Sequence, residues 1–150
     1  MRDNRPMPDP ISAGVIPLRR TSDGWRVLIL RAYRQWDFPK GIIDPGETPF
    51  DAARREAEEE AALTDLEFPL GEIFRDTEPY LGGKIARFYL AVTARQEIVL
   101  PVSAELGRPE HQEGRWASID EAAGLMPRWL LPILDWVREA LANPRMRDLR

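Results

Sequence analysis

Residues 41–63 read GIIDPGETPFDAARREAEEEAAL and contain the pattern that decides the fold. The Asp-Pro-Gly at 44–46 is typical of a turn, because proline fixes φ at the second position and glycine tolerates positive φ at the third. Thr48 and Pro49 are typical of a helix start, with threonine as the N-cap and proline in the first turn. The stretch therefore predicts a loop that leads into a helix over residues 50–61.

Three glutamates of this helix, Glu56, Glu59 and Glu60, are spaced i, i+3 and i+4. At about 100° per residue they lie on one face and repel one another. Bound Mg²⁺ would remove that repulsion, since it prefers oxygen ligands and bridges to substrate phosphates. The alternative is an acidic helix face that is merely solvated, which is the usual role of a charge run. The rest of the stretch favours the metal-binding interpretation.

The spacing of the whole stretch resembles the Nudix box. That motif has a glycine, five residues, a glutamate, seven residues, Arg-Glu, an apolar residue, any residue, Glu-Glu, any residue, glycine and an apolar residue. The matching residues here are Gly41, Glu47, Arg55, Glu56, Ala57, Glu59, Glu60 and Leu63. Ala62 departs from the motif, which usually has glycine there. Alanine at this position costs roughly 1 kcal/mol if its φ is positive.

Resemblance to the Nudix hydrolases implies an α+β fold in which a mixed β-sheet is sandwiched between α-helices. It also implies an enzyme that uses Mg²⁺, or Mn²⁺ as a substitute, to cut a pyrophosphate linkage by in-line attack of water. The implied metal ligands are the Gly41 carbonyl, Glu56, Glu59 and Glu60. Arg55 is implied to pair with Glu47 and to fix the loop against the helix. The alternative for Arg55 is an ordinary surface pair with Glu59, which contributes little.

Two further segments indicate which group of Nudix hydrolases the chain resembles. Residues 36–41, Trp-Asp-Phe-Pro-Lys-Gly, and residues 110–116, Glu-His-Gln-Glu-Gly-Arg-Trp, are similar to stretches of the asymmetrical diadenosine tetraphosphate hydrolases. Lys84 and the strand that follows it also look like the lysine-initiated central strand of those enzymes. This closer resemblance implies cleavage of diadenosine tetraphosphate to ATP and AMP.

Other substrates remain open. The Pro-Lys-Gly entrance is shared with inositol pyrophosphate phosphatases, and RNA 5′-pyrophosphohydrolases have glutamine where this chain has Lys40. The alternatives are therefore 5′-triphosphorylated RNA, an inositol pyrophosphate or another nucleoside diphosphate derivative. A Nudix-fold module that binds a nucleotide without cutting it is a third possibility, but it would be expected to lack the metal glutamates.

Three residues outside the box are candidate substrate contacts. Lys40 and Lys84 are predicted to contact phosphates as point charges, and Tyr80 is predicted to stack on an adenine ring. The competing interpretations are solvated lysines and a tyrosine that packs within its loop. Trp36 and Trp116 are interpreted as core residues.

Glu110 is the candidate that lies farthest from the box in sequence. Nudix enzymes frequently use a carboxylate from a distant loop, so Glu110 is predicted to bind metal or to activate water. Glu59 and Glu60 are the alternative bases, because sequence cannot show which carboxylate reaches the water. His111 is the single histidine and is interpreted as structural. The candidate catalytic residues are Glu47, Arg55, Glu59, Glu60 and Glu110.

Length and composition bound the remaining possibilities. The chain has 150 residues, a net charge of −4 and no cysteine. Its length predicts one domain over residues 11–142, with flexible tails at 1–10 and 143–150. The negative charge disfavours broad binding to nucleic acid, although an RNA 5′ end stays open. The absence of cysteine excludes disulfides and thiolate sites and favours the cytoplasm.

The expected partner is a small nucleotide substrate, and the expected assembly is a monomer or homodimer. No apolar stretch approaches the length of about 20 residues that crosses a membrane. Hydrophobic alternation and turn residues predict strands over residues 11–19, 25–31, 38–43, 66–75, 84–93 and 114–118. Helices are predicted over residues 50–61, 120–125 and 129–142.

Overall fold

The computed structural model describes residues 9–149. Within that range it has seven strands, four α-helices and one 3-10 helix. The strands are β1 (Ser12–Thr21), β2 (Gly24–Ala32), β3 (Gln35–Asp37), β4 (Lys40–Ile42), β5 (Phe74–Asp76), β6 (Ala86–Val92) and β7 (Glu113–Ala117). The α-helices are α1 (Pro49–Ala61), α2 (Ile119–Leu125), α3 (Leu131–Leu141) and α4 (Pro144–Arg147), and the 3-10 helix is Arg128–Leu130. None of these helices is long and apolar enough to cross a membrane.

Strand β1 organises the sheet because it pairs with three other strands. It runs parallel to β6, with Ser12 opposite Ala86 and Leu18 opposite Val92. On its other side, β4 pairs with its first residues and β2 with its last residues, both antiparallel. The strands follow the order β3-β2-β1-β6-β5, and β7 pairs with β2. This arrangement confirms the predicted mixed sheet.

Helices cover both faces of the sheet. On one face, α1 packs through small side chains such as Ala57 into a buried cluster that includes Tyr89, the first core. On the other face, Phe88 and Leu134 belong to the second core, to which α2, α3 and α4 contribute. Because side chains alternate along a strand, the consecutive residues Phe88 and Tyr89 enter opposite cores. The predicted α+β sandwich is confirmed, and it holds α1 firmly against β1 and β4.

The strand predicted over residues 38–43 forms only over Lys40–Ile42, as β4, and the short strand β3 before it was not predicted. Phe38 and Pro39 separate the two strands. Proline has no N–H to donate to a strand ladder, so it interrupts the pairing. The Pro39 carbonyl accepts a hydrogen bond from the Val15 N–H at 3.0 Å, which keeps the interrupted segment beside β1.

The prediction of a strand over residues 66–75 was also wrong for most of its length. Glu67 makes an isolated bridge to β6, and β5 starts several residues later. Between them the chain turns: Pro69 lacks an N–H, Gly71 has a φ of 73°, and the Gly71 N–H donates to the Phe68 carbonyl at 2.9 Å. Both residue types favour turns over strands, and they outweigh the apolar residues around them.

The C-terminal segment packs against the body of the protein. A tail was predicted over residues 143–150, but α4 lies there and Met146 is 1% exposed within the second core. The Arg20 side chain donates to the carbonyls of Arg147 and Leu149. Most of the predicted N-terminal tail, residues 1–8, lies outside the described residues.

Ala62 ends α1 in a left-handed conformation, with φ 54° and ψ 32°. Glycine adopts this conformation without the steric cost that alanine carries. We expect Ala62→Gly to raise the free energy of unfolding by about 0.5–1 kcal/mol, measured by urea denaturation. Ala142→Gly is the matched control, because Ala142 ends α3 with a φ of −77° and gains nothing from glycine. Equal losses of stability in both variants would contradict the expectation.

Candidate active site

A cleft of about 830 Å³ opens beside α1. Strand β4 and the glutamate-bearing face of α1 line one part of it, and residues 101–105 line another. The candidate residues that line the cleft are Lys40, Gly41, Arg55, Glu56, Glu59, Glu60 and Glu110. Glu47, Tyr80 and Lys84 are not among its lining residues. The fold thus brings together the box, the Pro-Lys-Gly entrance and the distant Glu110.

Gly41 lets β4 approach α1 more closely than any other residue would. A Cβ atom added to Gly41 would lie 2.1 Å from Cδ of Glu56 and 2.2 Å from its Oε1. Real Cβ atoms do not approach other atoms so closely. The glycine is therefore required by the carboxylate of Glu56, which occupies the space that a side chain at position 41 would fill.

Arg55 joins the loop to the helix. Its Nε and Nη2 donate to the two carboxylate oxygens of Glu47 at 2.8 and 2.9 Å. Its Nη1 donates to Glu56 at 2.8 Å and to Glu59 at 3.3 Å. The hydrogen bond from Arg55, with a second from the backbone of Asp44, lowers the pKa of Glu47 to about 2. The two interpretations of Arg55 both describe real contacts, and the bidentate pair with Glu47 is the tighter one.

Lysine cannot replace this fork, because it offers one compact ammonium in place of five fixed donors. We expect Arg55→Lys to lower the free energy of unfolding by about 1–2 kcal/mol and catalytic efficiency by about tenfold. The matched control is Arg54→Lys, since the Arg54 guanidinium lies 5.8 Å from the centre of the Phe50 ring and outside the cleft. Denaturant titration and steady-state kinetics of both variants would check this. If stability and catalytic efficiency fell by similar amounts in both variants, Arg55 would not be the residue that fixes the loop against the helix.

Glu60 is a buried carboxylate, only 6% exposed. Its Oε2 accepts a hydrogen bond from the Lys40 backbone N–H at 2.8 Å, which fixes it against β4. Burial, together with the neighbouring carboxylates of Glu110 and Glu56, raises the pKa of Glu60 far above its usual range. A buried negative charge among like charges is costly unless positive charge compensates it.

Glu110 and His111 complete this group. One ligand atom from each of Glu60, Glu110 and His111 lies within 4.8 Å of the other two. Glu110 is exposed, whereas His111 is 8% exposed and its pKa is lowered, chiefly by burial. The carboxylate oxygens fit the preference of Mg²⁺ and Mn²⁺ for oxygen donors, and a divalent cation would supply the charge that the clustered carboxylates require.

Lys40 lines the cleft, and its ammonium group forms an ion pair with Asp37. Its Nζ lies 3.1 Å from a carboxylate oxygen of Asp37. Burial opposes the charged form of Lys40, yet Asp37, Tyr80 and Glu60 together raise its pKa above the usual value. Lys40 therefore stays cationic beside the carboxylates of the cleft.

Tyr80 and Lys84 are not among the residues that line the cleft. The two residues form an isolated bridge across the turn that contains Gly82 and Gly83. Tyr80 stacks on Trp129 with ring centres 5.1 Å apart and an interplanar angle of 5°. One face of the tyrosine ring is thus already covered, and Lys84 is exposed at the end of the turn.

The tryptophans of the two narrower motifs pack inside the protein. Trp36 is 6% exposed and belongs to the second core, under the guanidinium of Arg115. Trp116 packs against the first core and donates from its indole nitrogen to the Gln96 carbonyl at 2.9 Å. The core interpretation of both residues agrees with these contacts.

Two parts of the site were missed by sequence reasoning. Asp37 pairs with Lys40, and its position three residues earlier was the available signal. The segment 101–105 lines the cleft, but its residues, Pro-Val-Ser-Ala-Glu, match no motif. A turn holds this segment in place: the Ser103 N–H donates to Arg108 and the Gly107 N–H to Ser103.

Comparison with known families and proteins agrees with this geometry. A family model described as the NUDIX domain matches residues 8–137. The asymmetrical bis(5′-nucleosyl)-tetraphosphatase of Caenorhabditis elegans is 30% identical over 117 residues, which cover 74% of this chain and 80% of that protein. An RNA pyrophosphohydrolase of Pseudomonas putida is 31% identical over 116 residues, which cover 65% of this chain and 71% of that protein.

Solved structures of Nudix proteins have a similar fold. The crystal structure of a C. elegans Ap4A hydrolase binary complex superposes with a TM-score of 0.74 at 25% identity, covering 87% of this chain and 98% of that one. The NUDIX domain of Shewanella oneidensis NrtR, complexed with ADP ribose, superposes with a TM-score of 0.66 at 15% identity, covering 90% of each chain. The second likeness concerns the fold alone.

Proposed function

The chain belongs to the NUDIX domain family and is a Nudix hydrolase, and from this we propose that it cleaves diadenosine tetraphosphate to ATP and AMP. The observation that carries the proposal is the convergence of Glu56, Glu60 and Glu110 on one cleft. The cleft volume lies in the upper part of the range of roughly 300–1,000 Å³ that ligand pockets occupy. It suits a nucleotide with an extended polyphosphate better than a single phosphate.

The carboxylates of the cleft are proposed to hold Mg²⁺, with Mn²⁺ as a possible substitute. The residues assigned to it are the Gly41 carbonyl, Glu56, Glu59 and Glu60. When bound, the ion would neutralise phosphate oxygens and make phosphorus more electrophilic. The Arg55–Glu47 pair positions these ligands, because Arg55 also holds Glu56 and Glu59.

The reaction is an in-line displacement at phosphorus. The oxygen of water forms a bond to phosphorus, the bridging P–O bond breaks, and the leaving phosphate oxygen keeps the electron pair. Glu110 is the proposed acceptor of the water proton, because its carboxylate is exposed in the cleft, whereas Glu60 is buried and Glu59 is held by Arg55. A general base must reach the water directly, and exposure in the cleft provides that access.

The substrate contacts proposed outside the box are Lys40, Lys84 and Tyr80. Lys40 lines the cleft and remains cationic, so it suits a phosphate of the chain. Tyr80 has one ring face covered by Trp129, and only its other face is left for an adenine. Lys84 is exposed next to Tyr80 across the turn and is assigned to a more distant phosphate.

The second candidate substrate is the 5′ end of triphosphorylated RNA. The similarity to RNA pyrophosphohydrolases supports it, and the negative net charge opposes it, because the phosphates of RNA beyond the reactive end would be repelled. Both candidate substrates would react at the same metal-binding carboxylates. They differ in which part of the substrate the cleft must bind beyond the reacting phosphate.

Measured catalytic efficiency separates these candidates. Diadenosine tetraphosphate, 5′-triphosphorylated RNA and an inositol pyrophosphate would each be supplied with Mg²⁺ at equal ionic strength. We expect the first to exceed the others by more than about tenfold, which is a difference of about 1.4 kcal/mol in the transition state. A preference for RNA would refute the proposed substrate while leaving the hydrolase chemistry intact.

A further inference from the structure

We propose that His111 is a nitrogen ligand of a second metal site, beside the one assigned to the box, which it completes with Glu60 and one carboxylate oxygen of Glu110. The other oxygen of Glu110 stays available for the water proton, and this second site prefers Mn²⁺ and Co²⁺ to Mg²⁺. The inference rests on the proposed function in one respect, namely that the cleft binds a divalent metal. It adds a donor from outside the box. Its first support is proximity, since the ligand atoms of the three residues lie within 4.8 Å of one another. Two donors bound to one ion at roughly 2.0–2.6 Å can be at most about 5 Å apart.

The second support is the unpaired ring nitrogen of His111. The side chain is 8% exposed, and Nδ1 is buried without a hydrogen-bond partner. Buried polar atoms of native proteins are nearly always paired, and an unpaired one calls for an explanation such as an ion.

The third support is the fixed backbone that follows His111. The Gln112 N–H donates to the Arg31 carbonyl at 2.8 Å, and the Gln112 side chain accepts from the Tyr33 N–H. Strand β7 begins at the next residue. The imidazole is therefore presented to Glu60 and Glu110 from the start of a strand, which is a better support for a ligand than a free loop.

The imidazole donor determines which metal ions this site prefers. Sites built from carboxylate, carbonyl and water suit Mg²⁺, whereas an imidazole donor favours transition metals. The chain has one histidine and no cysteine, so His111 is its sole imidazole or thiolate donor, and it stands at this cluster. A site with two carboxylates and one imidazole discriminates against Mg²⁺ more strongly than the carboxylates of α1 do.

The single histidine also makes the test specific. Protein without a histidine tag, grown with ¹⁵N-labelled histidine, is labelled at position 111 alone. Electron spin-echo spectra of bound Mn²⁺, recorded in a nitrogen-free buffer, should show the coupling of a directly coordinated imidazole, and the label should change that coupling. A spectrum of bound Mn²⁺ that the label leaves unchanged would overturn the proposal, and this measurement needs no variant.

Binding constants provide the second readout. We expect His111→Gln to weaken Mn²⁺ binding by about 10–100-fold, while Mg²⁺ binding, measured by competition, changes by less than about threefold. Equal weakening of both ions would mean that His111 only hydrogen-bonds to the carboxylates, and the proposal would fail. Glu60→Gln is the control that should weaken both ions. Neither the spectrum nor the binding constants depend on turnover. These measurements can therefore support the metal site even if diadenosine tetraphosphate is not the substrate.

Discussion

Replacing Glu60 with glutamine is expected to lower kcat by about a thousandfold without destabilising the protein. A metal ligand supports several kcal/mol of transition-state stabilisation, and each 1.4 kcal/mol is a factor of ten in rate. The side chain is buried among carboxylates, and glutamine keeps an oxygen that can accept from the Lys40 N–H while removing the negative charge. The melting temperature of the variant should therefore equal or exceed that of the wild type.

The control for this substitution is Glu139→Gln. Glu139 is exposed on α3, which covers the opposite face of the sheet, so kcat should be unchanged. Thermal denaturation and steady-state kinetics would be measured on both variants. Retention of more than about a tenth of the activity by Glu60→Gln would contradict its assignment as a metal ligand.

Gly41→Ala is expected to lower catalytic efficiency by about a hundredfold and also to lower the free energy of unfolding. The new Cβ would lie 2.1 Å from Cδ of Glu56, so the Glu56 carboxylate must leave its position and its contact with Arg55. A displaced ligand of the reacting centre is costly, since even small misplacements in an active site lower rates by about 100-fold. The loss of stability should be about 1–3 kcal/mol, because a carboxylate at the end of a flexible side chain can move.

Gly124→Ala is the matched glycine control. Gly124 lies in α2, and apart from the adjoining backbone of that helix no atom lies within 4 Å of an added Cβ. Alanine should therefore stabilise the helix by about 0.5–1 kcal/mol. Activity of this variant should stay at the wild-type level. If Gly41→Ala retained full activity, the position of the Glu56 carboxylate beside Gly41 would not be required for catalysis.

The box could be placed from the sequence because its geometry is local. A helix with Thr48 as N-cap and glutamates at i, i+3 and i+4 puts Glu56 and Glu60 on one side whatever the rest of the chain does. The cap hydrogen bond is present, with the Asp51 N–H donating to Thr48 at 3.1 Å. The left-handed end of the helix at Ala62 also follows from the motif, since glycine usually occupies this position.

Other features depend on tertiary contacts that periodicity cannot show. The burial of His111 beside Glu60 depends on the pairing of β7 with β2. The stacking of Tyr80 on Trp129 brings together segments that are distant in sequence. The strand predicted over residues 38–43 was too long at its start, because Pro39 has no N–H to donate to a strand ladder. Strand β3 was not predicted, because it has only three residues and is defined by its pairing with β2.

Product analysis with diadenosine tetraphosphate and Mg²⁺ is the decisive test of the proposed reaction. Wild-type protein and Glu60→Gln would be incubated side by side, and the nucleotides would be separated by anion-exchange chromatography. We expect equal amounts of ATP and AMP from the wild type and no product above background from the variant. Two molecules of ADP, or no product from folded wild-type protein, would contradict it.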